Sequence, residues 1–181
     1  MWFVLHFLIL SLEVRAKLLH SQSILQSTLE ATSEGIVVIN LNGEVTAHNN
    51  SFLTMWGISG ADKFTLNRRA LTKIIVNKLR NKEEYYLKRR NISANISYQG
   101  VDFLELINGN IYERYIMPQI INNTIVGRVA SYRDVTAQKM LEAELLHQSM
   151  YDKLTNLPNR SLMLDLIRRA IIMADVELNR F

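Results

Sequence analysis

Phe103-Leu104-Glu105-Leu106-Ile107, then Asn108-Gly109-Asn110, then Ile111 to Pro118, Asn122-Asn123 and Ile125 to Arg133, decide how this chain folds. The apolar runs are rich in β-branched and aromatic residues, which suit a pleated, half-buried surface. The breaks between them are short and built from Asn and Gly, which turn a chain tightly. The stretch therefore reads as three strands joined by two tight turns, the mark of an antiparallel sheet. Along Ile111–Pro118 the faces alternate only loosely. Whether Glu113, Tyr115 and Met117 or Tyr112, Arg114 and Ile116 point inward stays open.

Working back from that stretch, Leu66 to about Arg90 has a helical period, with Leu71, Ile74, Ile75, Val76 and Leu79 on an apolar face. Before it, Asn49-Asn50-Ser51 caps a short helix carrying Phe52, Leu53, Met55 and Trp56, which Gly57 stops. Ile36-Val37-Val38-Ile39 and Glu44 to His48 are two strands joined through Asn42-Gly43, a hairpin signal in which both residues tolerate positive φ. Two strands, several helices and three strands make an α+β domain with helices gathered on one face of the sheet.

Ser11 to Ser33 favours helix, ended by Ser33-Glu34-Gly35. Val14, Leu18, Gln22, Leu25 and Leu29 form a narrow stripe, fit for pairing two copies or for docking on the chain's own sheet. Met1 to Leu12 is apolar, but twelve helical residues reach only about 18 Å against a hydrocarbon core of about 30 Å. No cleavage site follows it. Two readings stand: the stub of a membrane span flanked by Arg15 and Lys17, or a helix end packed on a partner.

An apolar content of 48% and a charged content of 21% are those of a globular protein. Without cysteine there is no disulfide, thiolate metal site, cysteine nucleophile or cysteinyl–flavin photochemistry. The formal charge is +4, yet Leu66–Gly100 holds nine basic residues against two acidic, a net +7 that leaves −3 for the rest. The plain reading is a solvated helix face. The sharper reading is a contact with anionic lipid or nucleic acid. No aromatics interleave with the charges in a base-stacking pattern and no recognition-helix or zinc motif is present, so nucleic acid is not an expected partner.

Taken together, Glu34-Gly35-Ile36-Val37-Val38-Ile39, Asn42-Gly43, Asn49-Asn50-Ser51-Phe52 with Trp56-Gly57-Ile58, Asn108-Gly109-Asn110-Ile111-Tyr112-Glu113-Arg114, and Val126-Gly127-Arg128-Val129 to Arg133-Asp134-Val135-Thr136 resemble a PAS sensory domain over residues 28–136. The resemblance implies a five-stranded antiparallel sheet whose concave face, closed by helices, can hold a small ligand or nothing. It also implies that Asp134 and Thr136 transmit a signal from the last strand to the output helix. On the residues alone, Thr136 is a helix N-cap and Asp134 favours the positive helix end. Haem is not expected. The four histidines are His6, His20, His48 and His147, and none falls between Asn49 and Leu146, where the helices over the ligand face lie. Non-covalent flavin or another small molecule stays open. Trp56, at helical spacing from Phe52, reads as core rather than cofactor wall, and His48 as a satisfied hairpin histidine.

Ala137 to Met150 is helical, with Leu141, Leu145 and Gln148 in a thin stripe. His147 is followed by Gln148-Ser149-Met150-Tyr151, which does not resemble a phospho-accepting site. Asp152, Leu154, Thr155, Leu157, Pro158, Asn159 and Arg160 then stand in the pattern that opens a GGDEF domain, the diguanylate cyclase fold, with Asn156 where glycine is usual and Asn159 placed to cap the next helix. Leu162, Met163, Leu166, Ile167, Ala170, Ile171 and Ala174 line one face of that helix. The family's metal-binding aspartate and Gly-Gly-Asp/Glu-Glu-Phe turn lie beyond it, so this chain is not expected to convert GTP to cyclic di-GMP itself. The organisation expected is an N-terminal helix over 1–27, a PAS domain over 28–136, a linker helix over 137–150 and the start of a GGDEF domain over 151–181. The function expected is that of a sensing fragment of a diguanylate cyclase-type signalling protein, homodimerising through the flanking helices, in the cytoplasm and at the inner membrane face if residues 1–12 are a stub. The alternatives are a standalone ligand-binding or dimerisation partner that forms mixed dimers, or a truncated product without function.

Overall fold

A computed structural model describes residues 2–60, 66–152, 155 and 157–178. Its elements are α1 (Trp2–Glu30), β1 (Gly35–Asn40), β2 (Val45–His48), α2 (Asn50–Trp56), α3 (Arg68–Lys78), α4 (Lys82–Ala94), β3 (Gly100–Glu105), β4 (Ile111–Ile121), β5 (Thr124–Asp134), α5 (Thr136–Met150) and α6 (Arg160–Leu178). They form two units, divided between Val135 and Thr136.

In the first unit all five strands join one antiparallel sheet in the order β2-β1-β5-β4-β3. The register places β1 against β5, Gly35 opposite Tyr132 and Asn40 opposite Gly127, so the first and last strands are neighbours at the centre. Tyr112, Arg114 and Ile116 are the buried set on β4, which settles the face that the loose alternation left open. Val37, Leu104, Tyr112 and Tyr132 from the sheet meet Phe52, Trp56, Leu71, Ile75, Val76 and Tyr85 from the helices in one core. Trp56 sits edge-on to Tyr112 and Tyr132, at centroid distances of 5.5 and 5.3 Å, a favoured aromatic geometry. It is core, as expected.

The turns differ in detail from expectation. In the β1–β2 hairpin only Gly43 takes a positive φ, 87°. Asn40 closes the turn, accepting from Gly43 N through its carbonyl and from Glu44 N through its side chain. The turn with two successive left-handed residues is instead Asn122-Asn123, at φ 48° and 60°. The Leu66–Arg90 helix is in fact two. Leu79 leaves the helical path to bridge Leu106, and Arg80 N donates to Glu105 O. Asn81 then caps α4, accepting from Glu84 N while donating to the Glu84 carboxylate, a reciprocal cap.

α1 runs unbroken to Glu30. Val14, Leu18 and Leu25 are exposed, so its stripe does not dock on the chain's own sheet. Over the described residues no helix is long and apolar enough to cross a membrane.

In the second unit, α5 and α6 are joined by a compact turn. Asp152 accepts from Thr155 N and Oγ1 at 3.0 and 2.9 Å, Asp152 N donates to Leu157 O, and Asn159 N donates to Met150 O. Asn159 Oδ1 accepts from Leu162 N at 2.9 Å, capping α6. Met163, Ile167 and Ile171 on that helix are exposed. Leu154 and Asn156, and the side chains of Leu166 and Ala174, lie outside the described residues.

Candidate functional site

α3 and α4 lie over one face of the sheet without filling the space between. Between them lies a cavity of about 440 Å³, inside the size range of small-molecule sites. β1 contributes Val37 and Ile39, α3 Leu71 and Ile75, α4 Tyr85 and Ile92, β4 Ile116, and β5 Ala130 and Tyr132. Alternate residues of each strand reach this side, so Arg114 shares it with Ile116, and Arg128 with Ala130 and Tyr132.

Four arginines also line the cavity: Arg68, Arg89, Arg114 and Arg128. No acidic side chain does, among the described residues. Arg114 is buried, and its Nε and Nη2 donate to the two Asp102 carboxylate oxygens at 2.9 and 2.6 Å. The pair holds on β3 and β4 because Asp102 and Arg114 stand directly opposite. Burial alone would lower the Arg114 pKa; the Asp102 hydrogen bond and nearby charges reverse this, so the group is firmly ionised. Its guanidinium also lies over the Tyr85 ring, 5.0 Å from the centroid, a cation–π contact. Burial pushes the Tyr132 phenol up, although the Arg114 charge pulls the other way. Tyr132 is therefore a neutral phenol at ordinary pH. Arg128 is different. Burial, and then the Arg68 charge, lower its pKa, and its Nη2 donates to Asn95 O at 2.7 Å.

Asn49, expected only as a cap, does more. Its Oδ1 accepts from Phe52 N and from Ile36 N, while Nδ2 donates to Leu29 O, Thr32 Oγ1 and Glu34 O. One fully buried amide thus ties the end of α1 to β1 and α2. Glu30 adds a bond from Asn50 N. His48 lies at the end of β2 as expected, and its buried Nδ1 has no hydrogen-bond partner among the described residues. The described residues offer no cluster of His, Asp and Glu able to hold a metal.

Asp134 ends β5 and Thr136 begins α5, with buried Val135 between them; Val135 N donates to Ile111 O. Thr136 is thus the first helical residue rather than the residue before it. Of the residues expected to open a GGDEF domain, Asp152, Thr155, Leu157, Pro158 and Asn159 come together in the α5–α6 turn, where Tyr151 bridges Pro158, and Arg160 begins α6.

A five-stranded antiparallel sheet, helices over one face and a cavity between them make an α+β fold. It is the PAS fold. Residues 23–89 match the family model of the PAS domain. The chain is similar to an RNA-binding Light-Oxygen-Voltage receptor, with 16% identity and a TM-score of 0.51 over 71% of this chain and 37% of that one. It is similar also to the PAS domain of a protein from Colwellia psychrerythraea, at 18% identity and TM-score 0.44 over 66% and 98% of the two chains. A third likeness is to the PAS domain of an HTR-like protein from Haloarcula marismortui, at 16% identity and TM-score 0.47 over 67% and 98%. No curated protein matches the chain.

Proposed function

We propose that this chain is the sensory part of a signalling protein. Its PAS cavity takes a small molecule, the flanking helices pair in a homodimer, and occupancy of the cavity biases how those helices pair. The observation that carries this reading is one of connectivity. Ala130 and Tyr132, on the strand that forms the cavity wall, lie a few residues before Asp134, and α5 begins at Thr136. A ligand can act along this route only by binding two arrangements with different affinity. Asp134 and Thr136 are the transmitting residues in this reading.

The finer reading is that residues 151–160 open a GGDEF output domain and that the parent protein belongs to cyclic di-GMP signalling. The turn made by Asp152, Thr155 and Asn159 supports it. Two measurements separate the coarse and fine readings. Incubating the chain with GTP and Mg²⁺ is expected to yield no cyclic dinucleotide. Sequencing the reading frame beyond codon 181 is expected to reveal the metal-binding aspartate and the Gly-Gly-Asp/Glu-Glu-Phe turn. A different output domain there removes the cyclase assignment and leaves the sensory one.

A further inference from the structure

Arginine 68 opens α3, Arg89 lies on α4 and Arg128 on β5, yet all three line one cavity. Among the described residues none of them forms an ion pair. Arg114, the fourth, is already matched by Asp102. Arg68 and Arg89 belong to the basic run that the sequence suggests is a solvated face; Arg68 is exposed and Arg89 half-buried, and both also border the cavity. Arg68 lies close enough to Arg128 for its charge to lower the Arg128 pKa, and an anion bound beside them relieves such a repulsion. Guanidinium groups are also suited to the planar, two-pronged acceptors of carboxylates and phosphates. Arg128 is steadied for such a role by the Asn95 carbonyl. Much of the remaining lining is aliphatic, Val37, Leu71, Ile75 and Ile116 among it, beside the rings of Tyr85 and Tyr132.

We propose that the cavity binds a small amphiphile whose anionic head, a carboxylate or phosphate, is held by Arg68, Arg89 and Arg128 and whose apolar body packs against Val37, Ile75 and Ile116. This rests on the reading of the cavity as the ligand site and names the chemistry it selects.

The test is calorimetric titration of the full chain with 2-naphthoate, 2-naphthyl phosphate, neutral 2-naphthol and inorganic phosphate. Both aryl anions, or either one, are expected to bind at least tenfold more tightly than the naphthol and than inorganic phosphate; which anion leads identifies the head. Substituting Arg68→Gln and Arg128→Gln together is expected to remove that preference while naphthol affinity is kept. Arg69→Gln, on the same helix but not part of the cavity lining, is expected to change nothing. Aromatic circular dichroism of the Trp56 cluster confirms that each variant is folded. Equal affinity for naphthol and the anions, or a preference that survives the double substitution, overturns the anionic head and leaves the ligand site standing. Inorganic phosphate binding as tightly as the aryl anions overturns the apolar body. If no probe binds, the amphiphile is overturned. Native mass spectrometry of the chain recovered from cells then decides the broader reading: a neutral adduct keeps it, and a bare chain removes it.

Discussion

Asn49 shows how much can rest on the orientation of one amide. Its oxygen faces two N–H donors and its nitrogen faces three oxygen acceptors, with no exposure to water. In Asn49→Asp the nitrogen becomes an oxygen aimed at carbonyls, leaving buried acceptors opposed rather than merely unpaired. The expected loss is about 3 kcal/mol or more in urea unfolding, larger than for Asn49→Ala, because a charged group buried against acceptors is worse than an absent one. An Asp variant as stable as the parent would mean that the hub is solvated. Tyr132 gives a second residue-scale test. Its folded pKa is raised by burial above its ordinary value near 10. The unfolded chain therefore loses the phenolic proton first as pH rises. Stability from this group is complete below pH 10 and falls above it, by up to about 1.4 kcal/mol per pH unit. Tyr132→Phe keeps the ring but cannot titrate, so its alkaline slope is expected to be shallower; identical slopes would assign the loss elsewhere.

At the scale of elements, the pairing of β1 with β5 depends on a glycine. A Cβ on Gly127 would stand 2.5 Å from Ile39 O and 3.0 Å from Asn40 Cα, both backbone atoms. Gly127→Ala must push the two central strands apart beside Arg128, at a cost of about 1–3 kcal/mol. Faster amide exchange at Ile39 and Arg128, which face each other across the two strands, is the expected readout, and unchanged protection there would show that the strand end yields freely. The strands were legible in the sequence because their apolar runs are bounded by Asn and Gly. Which turn takes two positive φ values was not, since Asn-Gly and Asn-Asn both allow it and the strand register decides. The break between α3 and α4 had a local signal, Asn81 with Glu84 three residues on, but the apolar period from Leu71 to Leu79 masked it. The cavity arginines had none. Arg68, Arg89 and Arg128 are brought together by tertiary structure, while in sequence two of them sit in a basic run that reads as surface. Asn49 was visible as a cap through its acceptor oxygen; the acceptors around its nitrogen come from the segment before β1, and no spacing rule connects them.

At the scale of the molecule, the helices raise a problem that the sheet does not. The sheet unit has a core, whereas α1 is exposed from Leu12 to Thr28 and α5 has no buried residue. An isolated helix the length of α5, 15 residues, is marginal in water, because helical stability comes mainly from burying an apolar face. Leu18 and Leu25 on α1, and Leu141 and Leu145 on α5, remain exposed; in the proposed homodimer each helix buries its own stripe. If pairing supplies the missing burial, helicity and association must rise and fall together. Dilution across the dimer dissociation constant is then expected to lower the far-ultraviolet helical signal in step with the mass measured by light scattering. The aromatic signal of Trp56, Tyr112 and Tyr132 should not change, since that core is complete within one chain. Leu18→Asp with Leu25→Asp should reproduce the dilute state at high concentration, because two charges per copy cannot be buried along a narrow seam. A monomer that keeps its full helical signal at the lowest concentration would show that these helices stand without a partner, and the route from cavity to output would then have to lie within one chain.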